Sequence, residues 1–361
     1  MRAILSRLAQ STRQVVVQVL QAIRRGVLML IVRVPALTAF YYLLRGTYAF
    51  EQQGVLAGRL GYLKARDCDS GVPIYLLTRN IHRIEKGLSM RSKRATFAEG
   101  YIAQTMDALE RIVSNQQGGC ASIDFGETLL WACDVLREYF RVVDGTNVIR
   151  AQKERFFRVL DTMDCSQGQR IPYARGVIES APVTYDSLRQ LAIQRRSVRF
   201  YQRRQVPRKD IDRALQIAAL SPSACNRQAF EFRVYDDPGL IRAICALCVG
   251  VRGIEDGIPC LVVVVGKYRA YSSERDRHLI YIDASLAVMA VQFALETLNL
   301  ASTCLNWPCT RSREKAMRRL LHLEDDERIV VLLAIGYADP EGLIPYSQKK
   351  PLARLRSYNK L

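Results

Sequence analysis

Arg195-Arg196-Ser197-Val198-Arg199-Phe200-Tyr201 joins three arginines and a hydroxyl to the end of a helical segment. A phosphate needs donors that stay charged, and arginine supplies them in a planar fork. If the helix ends at about Arg196 and the chain then runs extended, Arg195, Arg196, Ser197 and Arg199 can converge on one anion. Alone, the string reads as a solvated basic turn or a kinase-type recognition site. Further along comes Ser221-Pro222-Ser223-Ala224-Cys225-Asn226-Arg227-Gln228, and near the C-terminus Pro345-Tyr346-Ser347-Gln348-Lys349-Lys350-Pro351-Leu352. The small residues Ser221 to Ala224 let backbone approach a flat ring, and Asn226 offers an amide that both donates and accepts. By itself that second string is a proline-initiated turn leading into a strand.

Around these strings the chain alternates helices and strands. Asp186 is read as the cap of a helix running to about Arg196, and Pro207 opens another with an apolar face of Ile211, Ala214, Leu215 and Ala218. Phe230, Phe232 and Val234 alternate as a half-buried strand, while Cys260 to Val265 is wholly apolar, as in a sheet covered on both sides. A helix from about Arg277 to Leu298 lacks a polar face, which implies burial, partly against a second subunit. Ile329 to Ile335 supplies a last central strand. The expected class is α+β, with helices flanking a central, mostly antiparallel sheet, preceded by an all-helical N-terminal region.

That preceding region has two parts. Residues 1–50 hold no Asp or Glu, and Arg2, Arg7, Arg13, Arg24, Arg25, Arg33 and Arg45 punctuate an apolar background. This is the composition of an interfacial amphipathic segment, and a helix on the protein's own core or a transit peptide shares it. Gly26 to Leu44 approaches the length of a membrane span, but Arg33 and Pro35 fall near its middle, and a central Arg costs roughly 2.5–3.5 kcal/mol on insertion scales. From about Val72 to Leu160 apolar residues recur at helical spacing, broken at Gly118-Gly119, Gly145 and Gly168. Within it, Asn80-Ile81-His82-Arg83-Ile84-Glu85-Lys86-Gly87-Leu88-Ser89-Met90 places His82 and Glu85 at i and i+3, either a polar interdomain face or a substrate contact. The expected division is a basic apolar segment at 1–50, a helical accessory domain at 60–166, a linker at 167–184 and an α+β domain at 185–361.

A net charge of +18 over 361 residues predicts attraction to phosphates, anionic cofactors, nucleic acid or an acidic membrane. The arginines are scattered, without the basic–aromatic interleaving of a single-strand binder, so no nucleic-acid partner is expected. Ten cysteines lie in apolar runs, which suits reduced, mostly buried thiols of a cytosolic protein, and Cys245-Ala-Leu-Cys248 reads as core rather than redox or metal chemistry. Three separated histidines, His82, His278 and His322, make no metal site expected.

In order and spacing, the strings resemble the flavin-binding signature of the nitroreductase family. Ser221, Pro222, Ser223, Asn226 and Gln228 match a Ser-Pro-Ser-x-x-Asn-x-Gln string that lies over the flavin from the neighbouring subunit. Ala229-Phe230 stands where the family usually has Pro-Trp. Ala284 to Leu298, followed by Asn299 to Trp307, resembles the family's buried helix, turn and flavin-edge strand, with Leu305 and Asn306 facing N5; the turn departs from the family's Gly-Leu-Gly. Lys349 and Lys350 match the C-terminal basic pair, and Ser347 takes a place often basic. The resemblance covers roughly residues 185–361 and implies a homodimer with two FMN molecules at its interface. It puts Arg195, Ser197 and Lys349 on the phosphate, Pro222, Ser223, Ala224 and Asn226 over the ring, and Arg199 at the N1/C2 carbonyl edge as the catalytic cation; Arg196 and Lys350 are further cofactor-binding candidates, Arg196 without a firm role.

The function so implied is an FMN-dependent oxidoreductase that takes hydride from NADH or NADPH and passes it to a small-molecule acceptor. The expected place is the cytoplasm, with residues 1–50 touching the inner face of the membrane. Two other readings stand beside it: a flavin-dependent dehydrogenase or oxidase of a peptide or carrier-linked substrate, and a non-catalytic membrane-associated assembly or sensor protein that keeps the flavin fold.

Overall fold

A computed structural model describes residues 2–44, 47–67, 73–91, 94–117, 125–143, 145–163 and 168–360, with backbone alone at residues 2–12, 14, 47 and 117. The expected breaks at Gly118-Gly119, the start of the linker at Gln167, Arg45 and the side chains of Arg2 and Arg7 lie outside what is described. The chain divides into two compact units, Met1–Gln53 with Cys309–Lys315, and Gly54–Pro308 with Ala316–Leu361.

In the first unit, helix α1 (Arg2–Val32) is followed by α2 (Pro35–Leu44), and the two pack together. The expected apolar stretch from Gly26 to Leu44 is therefore not one helix. Pro35 has no N–H to give and restricts the residue before it, so the chain turns at Arg33–Val34 and restarts with the proline in the first turn. Thr38 Oγ1 donates to the Ile31 carbonyl at 2.9 Å, satisfying one of the acceptors left at the end of α1. The 18-residue apolar window is Val15–Val32, none of it buried.

Helix α3 (Thr47–Asp67) begins in the first unit and enters the second at Gly54, where α4 (Ile74–Leu88), α5 (Glu99–Gln117), α6 (Gly126–Val142) and α7 (Asn147–Leu160) follow. Leu77, Ile81, Ile84, Ile102, Leu109, Leu136 and Phe156 bury the periodic apolar faces in one core. On α3, Gly58 allows a close approach of backbone to backbone: a Cβ there would lie 2.5 Å from the Tyr268 carbonyl carbon and 2.9 Å from the Arg269 nitrogen.

After residue 168 come α8 (Tyr185–Gln194), α9 (Arg208–Ala219), β1 (Phe230–Tyr235), α10 (Pro238–Cys245), β2 (Cys260–Lys267), α11 (Leu279–Thr297), β3 (Ala301–Leu305), α12 (Arg311–Leu321) and β4 (Glu327–Gly336). The strands form an antiparallel sheet in the order β1-β2-β4-β3, with Val234 opposite Val262 and Leu333 between Val262 and Cys304. The α+β class read from the sequence is the one observed. The apolar run of β2 is explained by cover on both faces: Leu261, Val263 and Val265 pack with Ile241, Ile244 and Met317, while Cys260, Val262 and Val264 pack with Ala214, Ala287 and Val291 of α9 and α11.

Local chemistry accounts for the ends. Thr184, not Asp186, caps α8, its Oγ1 accepting from the Ser187 N–H at 3.1 Å, and Asp186 sits in the first turn. Asp237 caps α10 through Oδ1 and the Leu240 N–H at 2.7 Å, ahead of Pro238. Seven cysteines among the described residues are thiols; Cys133, Cys245, Cys248 and Cys260 are buried, Cys225 is half-buried, and Cys304 and Cys309 are exposed. Burial pushes the Cys245 thiol up to about 11 and Cys260 up to about 12, which suits inert core thiols.

Candidate functional site

Helix α8 ends at Gln194, and Arg195 turns the chain extended at ψ 109°. Ser197 then bridges Ser302 of β3 in parallel, the Val198 N–H donating to the Ser302 carbonyl at 3.2 Å. The Arg195–Arg199 string thus becomes an extra edge on the sheet, and its side chains leave a fixed backbone. Tyr201 pins it further, its hydroxyl lying 2.7 Å from the Val198 carbonyl and 3.1 Å from that of Ala334.

The arginines separate in direction. Arg195 has a buried Nε without a hydrogen-bond partner, and among the described residues it forms no ion pair. Arg196 reaches the other way and donates to the carbonyls of Pro345, at 2.9 Å, and Tyr346. Arg199 lies beside its own turn, donating to the Ser197 carbonyl at 3.4 Å. Lys349 and Lys350 are exposed on the C-terminal arm just beyond the segment that Arg196 ties down. Leu305 is buried at the end of β3, and Asn306 is exposed after it, its carbonyl accepting from the Val249 N–H at 3.4 Å.

The Ser221–Gln228 string forms a tight turn in which Cys225, Asn226 and Gln228 all take positive φ, near 50°. Non-glycine residues adopt that region at a cost, so the turn must be held from outside. Asp283, on α11 and only 3% exposed, holds it: Oδ2 accepts from the Ala224 N–H at 2.9 Å and from the Tyr271 hydroxyl at 3.2 Å. Ser223 Oγ accepts from the Gln228 N–H at 3.0 Å, and Gln228 Nε2 donates to Asn226 Oδ1 at 3.2 Å. Burial raises the Asp283 carboxyl above the ordinary aspartate value, against the lowering pull of the Ala224 N–H, the Tyr271 hydroxyl and Arg227. Arg227 is buried beside it with an unpartnered Nε, its guanidinium 5.0 Å from the centre of the Tyr271 ring.

Within one chain the two groups of predicted residues are not brought together. The Arg195–Arg199 edge is supported from the far end of α11, where Gln292 Nε2 donates to Ser302 Oγ at 3.2 Å and Glu296 Oε2 accepts from Gln194 Nε2 at 3.1 Å. Asp283 and Gln292 stand nine residues apart, about 13.5 Å along the helix axis. Asp283, Gln292, Glu296 and Tyr271 are not among the residues the sequence singles out, and Arg227 stands in its string without a role. The signal was available: three polar residues in an otherwise apolar buried helix need partners.

With the fold and this geometry in hand, the sequence profile described as Nitroreductase family matches residues 192–251 and 252–337. The chain carries a nitroreductase-family domain. Iodotyrosine deiodinase 1 of Pongo abelii is 22% identical over 191 residues, 46% of this chain and 66% of that protein. Iodotyrosine dehalogenase 1 homolog of Caenorhabditis elegans is 27% identical over 220 residues, 51% of this chain and 66% of that protein. A protein of Archaeoglobus fulgidus, provisionally named an NADH dehydrogenase/NAD(P)H nitroreductase, is 27% identical over 148 residues, 41% of this chain and 83% of that one. The match thus spans just under two thirds of the two iodotyrosine-named relatives. Among solved structures, an FMN-dependent nitroreductase from Clostridium difficile R20291 superposes with a TM-score of 0.41 at 21% identity, over 47% of this chain and 98% of that one. The nitroreductase-family domain accounts for the sheet, α9, α11 and the edge string, and the helices before residue 168 lie outside the matched residues.

Proposed function

We propose that the nitroreductase-family domain is an FMN-dependent oxidoreductase that draws hydride from NADH or NADPH and delivers electrons to a small-molecule acceptor. The observation that carries this reading is Arg195: a buried guanidinium nitrogen without a partner, on a rigid sheet edge, with the Ser197 hydroxyl two residues on. A buried unpaired donor of that kind suits an anion supplied from outside the chain. The donor set fits a phosphorylated flavin, and a bound FMN would supply the two-electron chemistry.

Arg195 and Ser197 would hold the phosphate, with Lys349 or Lys350 closing over it from an arm that Arg196 fastens. Arg199 would place a permanent positive charge where the ring becomes electron-rich on reduction, lowering the barrier and raising the potential. Leu305 and Asn306 would present backbone to the opposite edge. Pro222, Ser223, Ala224 and Asn226, held at the other end of α11, would cover the ring of the partner's site, so the active unit is a homodimer. That arrangement is supported by their separation from Arg195 within one chain and by Ile282 and Leu286, exposed by 52% and 47% one turn apart on α11.

Residues 1–50 would bring this enzyme to an acidic membrane surface on the cytoplasmic side. Support comes from the exposed apolar side chains of α1 and α2 and from the absence of any acid there. Residues 60–166 would then be an accessory helical domain, joined through 167–184 to the flavin domain at 185–361. A second reading, reduction of a carbon–halogen bond, draws on the names of the two iodotyrosine-processing relatives. The test is anaerobic. FMN-loaded protein is expected to bleach with NADH or NADPH and to be reoxidised by nitroaromatic or haloaromatic compounds; a loaded protein that neither nucleotide reduces would overturn the proposal.

A further inference from the structure

The Asn80–Leu88 string of α4 has work for most of its residues. Ile81, Ile84 and Leu88 lie in the helical core, Arg83 sits 3.7 Å over the Tyr101 ring, and Glu85 Oε1 accepts from Trp131 Nε1 at 2.9 Å. Gly87 makes room for Phe97, whose ring would come within 2.2 Å of a Cβ. His82 and Lys86 are left over, as is Arg79 just before the string. Neither Arg79 nor Lys86 has a carboxylate partner among the described residues, and both belong with His82 and Tyr75 on the helix face turned away from the core, at positions i, i+4, i+7 and i+11 from Tyr75.

That face starts at the candidate site. Tyr75 packs with Ala224, Tyr268, Tyr271 and Ile280, and α4 packs against the Ala224–Asn226 turn itself. His82 is oriented: its Nδ1 lies 3.5 Å from Glu85 Oε2, while Trp131 holds the other carboxylate oxygen. At the far end of the face, Lys86 and Arg94 line a cavity of about 260 Å³ with Gly87, Met90 and Phe97. The single acid on this strip, Glu85, is engaged, so the strip presents net positive charge.

We propose that the Tyr75–Lys86 face of α4 is the substrate-selecting wall of the flavin pocket, recognising an aromatic acceptor that carries a carboxylate. Arg79 and Lys86 supply the charge and His82 a fixed hydrogen-bonding ring. This rests on the flavin reading above, since the Ala224–Asn226 turn is what brings the face to the pocket. It assigns a task to a helix outside the matched family residues.

The test compares para-nitrobenzoate with its neutral methyl ester on the FMN-loaded full chain. Affinity is measured by calorimetry, and backbone protection of α4 by hydrogen exchange. Loss of a charge-assisted hydrogen bond is worth about tenfold or more in affinity. The wild type is expected to prefer the anion and to protect α4 on binding it. Arg79→Ala with Lys86→Ala should lose that preference by roughly tenfold while keeping ester affinity, FMN content and melting temperature, and His82→Gln should retain more of it than His82→Ala. Equal affinity for the two compounds, no binding of either, or an unchanged preference in the double variant overturns the proposal while leaving a protein that still holds and reduces FMN. A chain that takes up no FMN overturns the underlying reading as well.

Discussion

Arg195 leaves α8 with a buried nitrogen that nothing among the described residues satisfies, and a buried unsatisfied donor costs on the order of 1–3 kcal/mol, more when charged. Arg195→Ala should therefore weaken FMN by tenfold or more while leaving the melting temperature of the FMN-free protein equal or higher; flavin absorbance after equilibrium dialysis and thermal unfolding read both. Arg199→Ala should instead keep FMN and slow its reduction, by roughly a hundredfold if the charge acts as an electrostatic stabiliser, as followed by anaerobic stopped-flow absorbance. Asp283 yields a pH prediction. Its folded-state value is raised by burial, so the native state holds its proton more tightly than the unfolded chain, and stability declines as pH rises from the ordinary aspartate range through the raised value. Against Asp283→Asn, which carries no such proton, wild-type melting temperature should fall across that window and level off above it. At this scale the sequence reveals the charged string but not where Arg196 goes. Arg196 binds backbone 149 and 150 residues away, a long-range contact that no local spacing encodes.

Elements were the more legible level wherever burial imposed a period. The apolar run Cys260–Val265 announced a strand covered on both faces, and the core periodicity of α4 is visible in Leu77, Ile81, Ile84 and Leu88. The break between α1 and α2 falls at Pro35, the same residue that interrupts the apolar stretch in the sequence, because its missing N–H decides where a helix must restart. The close approach at Gly58 was invisible for a different reason: it depends on a turn more than two hundred residues later. Gly58→Ala should force α3 from the Tyr268–Arg269 backbone and cost about 1–3 kcal/mol, seen as a lower melting temperature with unchanged FMN per folded chain.

For the whole molecule, the apolar face of α11 and the exposed C-terminal arm matter most. Leu343 and Tyr346 are 87% and 79% exposed, and under the proposed homodimer they, Ile282 and Leu286 would be apolar residues for a second copy to cover. Ile282→Asp with Leu286→Asp should give monomers in sedimentation velocity and lose FMN together. Separately, Arg24→Glu, Arg25→Glu and Arg33→Glu should reduce partition onto anionic vesicles by roughly a hundredfold, at about 1 kcal/mol for each basic residue near the surface, with no change in flavin content. The flavin site itself is tested most directly by adding FMN to the purified FMN-free chain and counting bound flavin per protomer in wild type and Arg195→Ala. One FMN per protomer in the wild type, greatly reduced in the variant, is the predicted result; a wild-type chain that takes up none, or a variant that takes up as much, would contradict it.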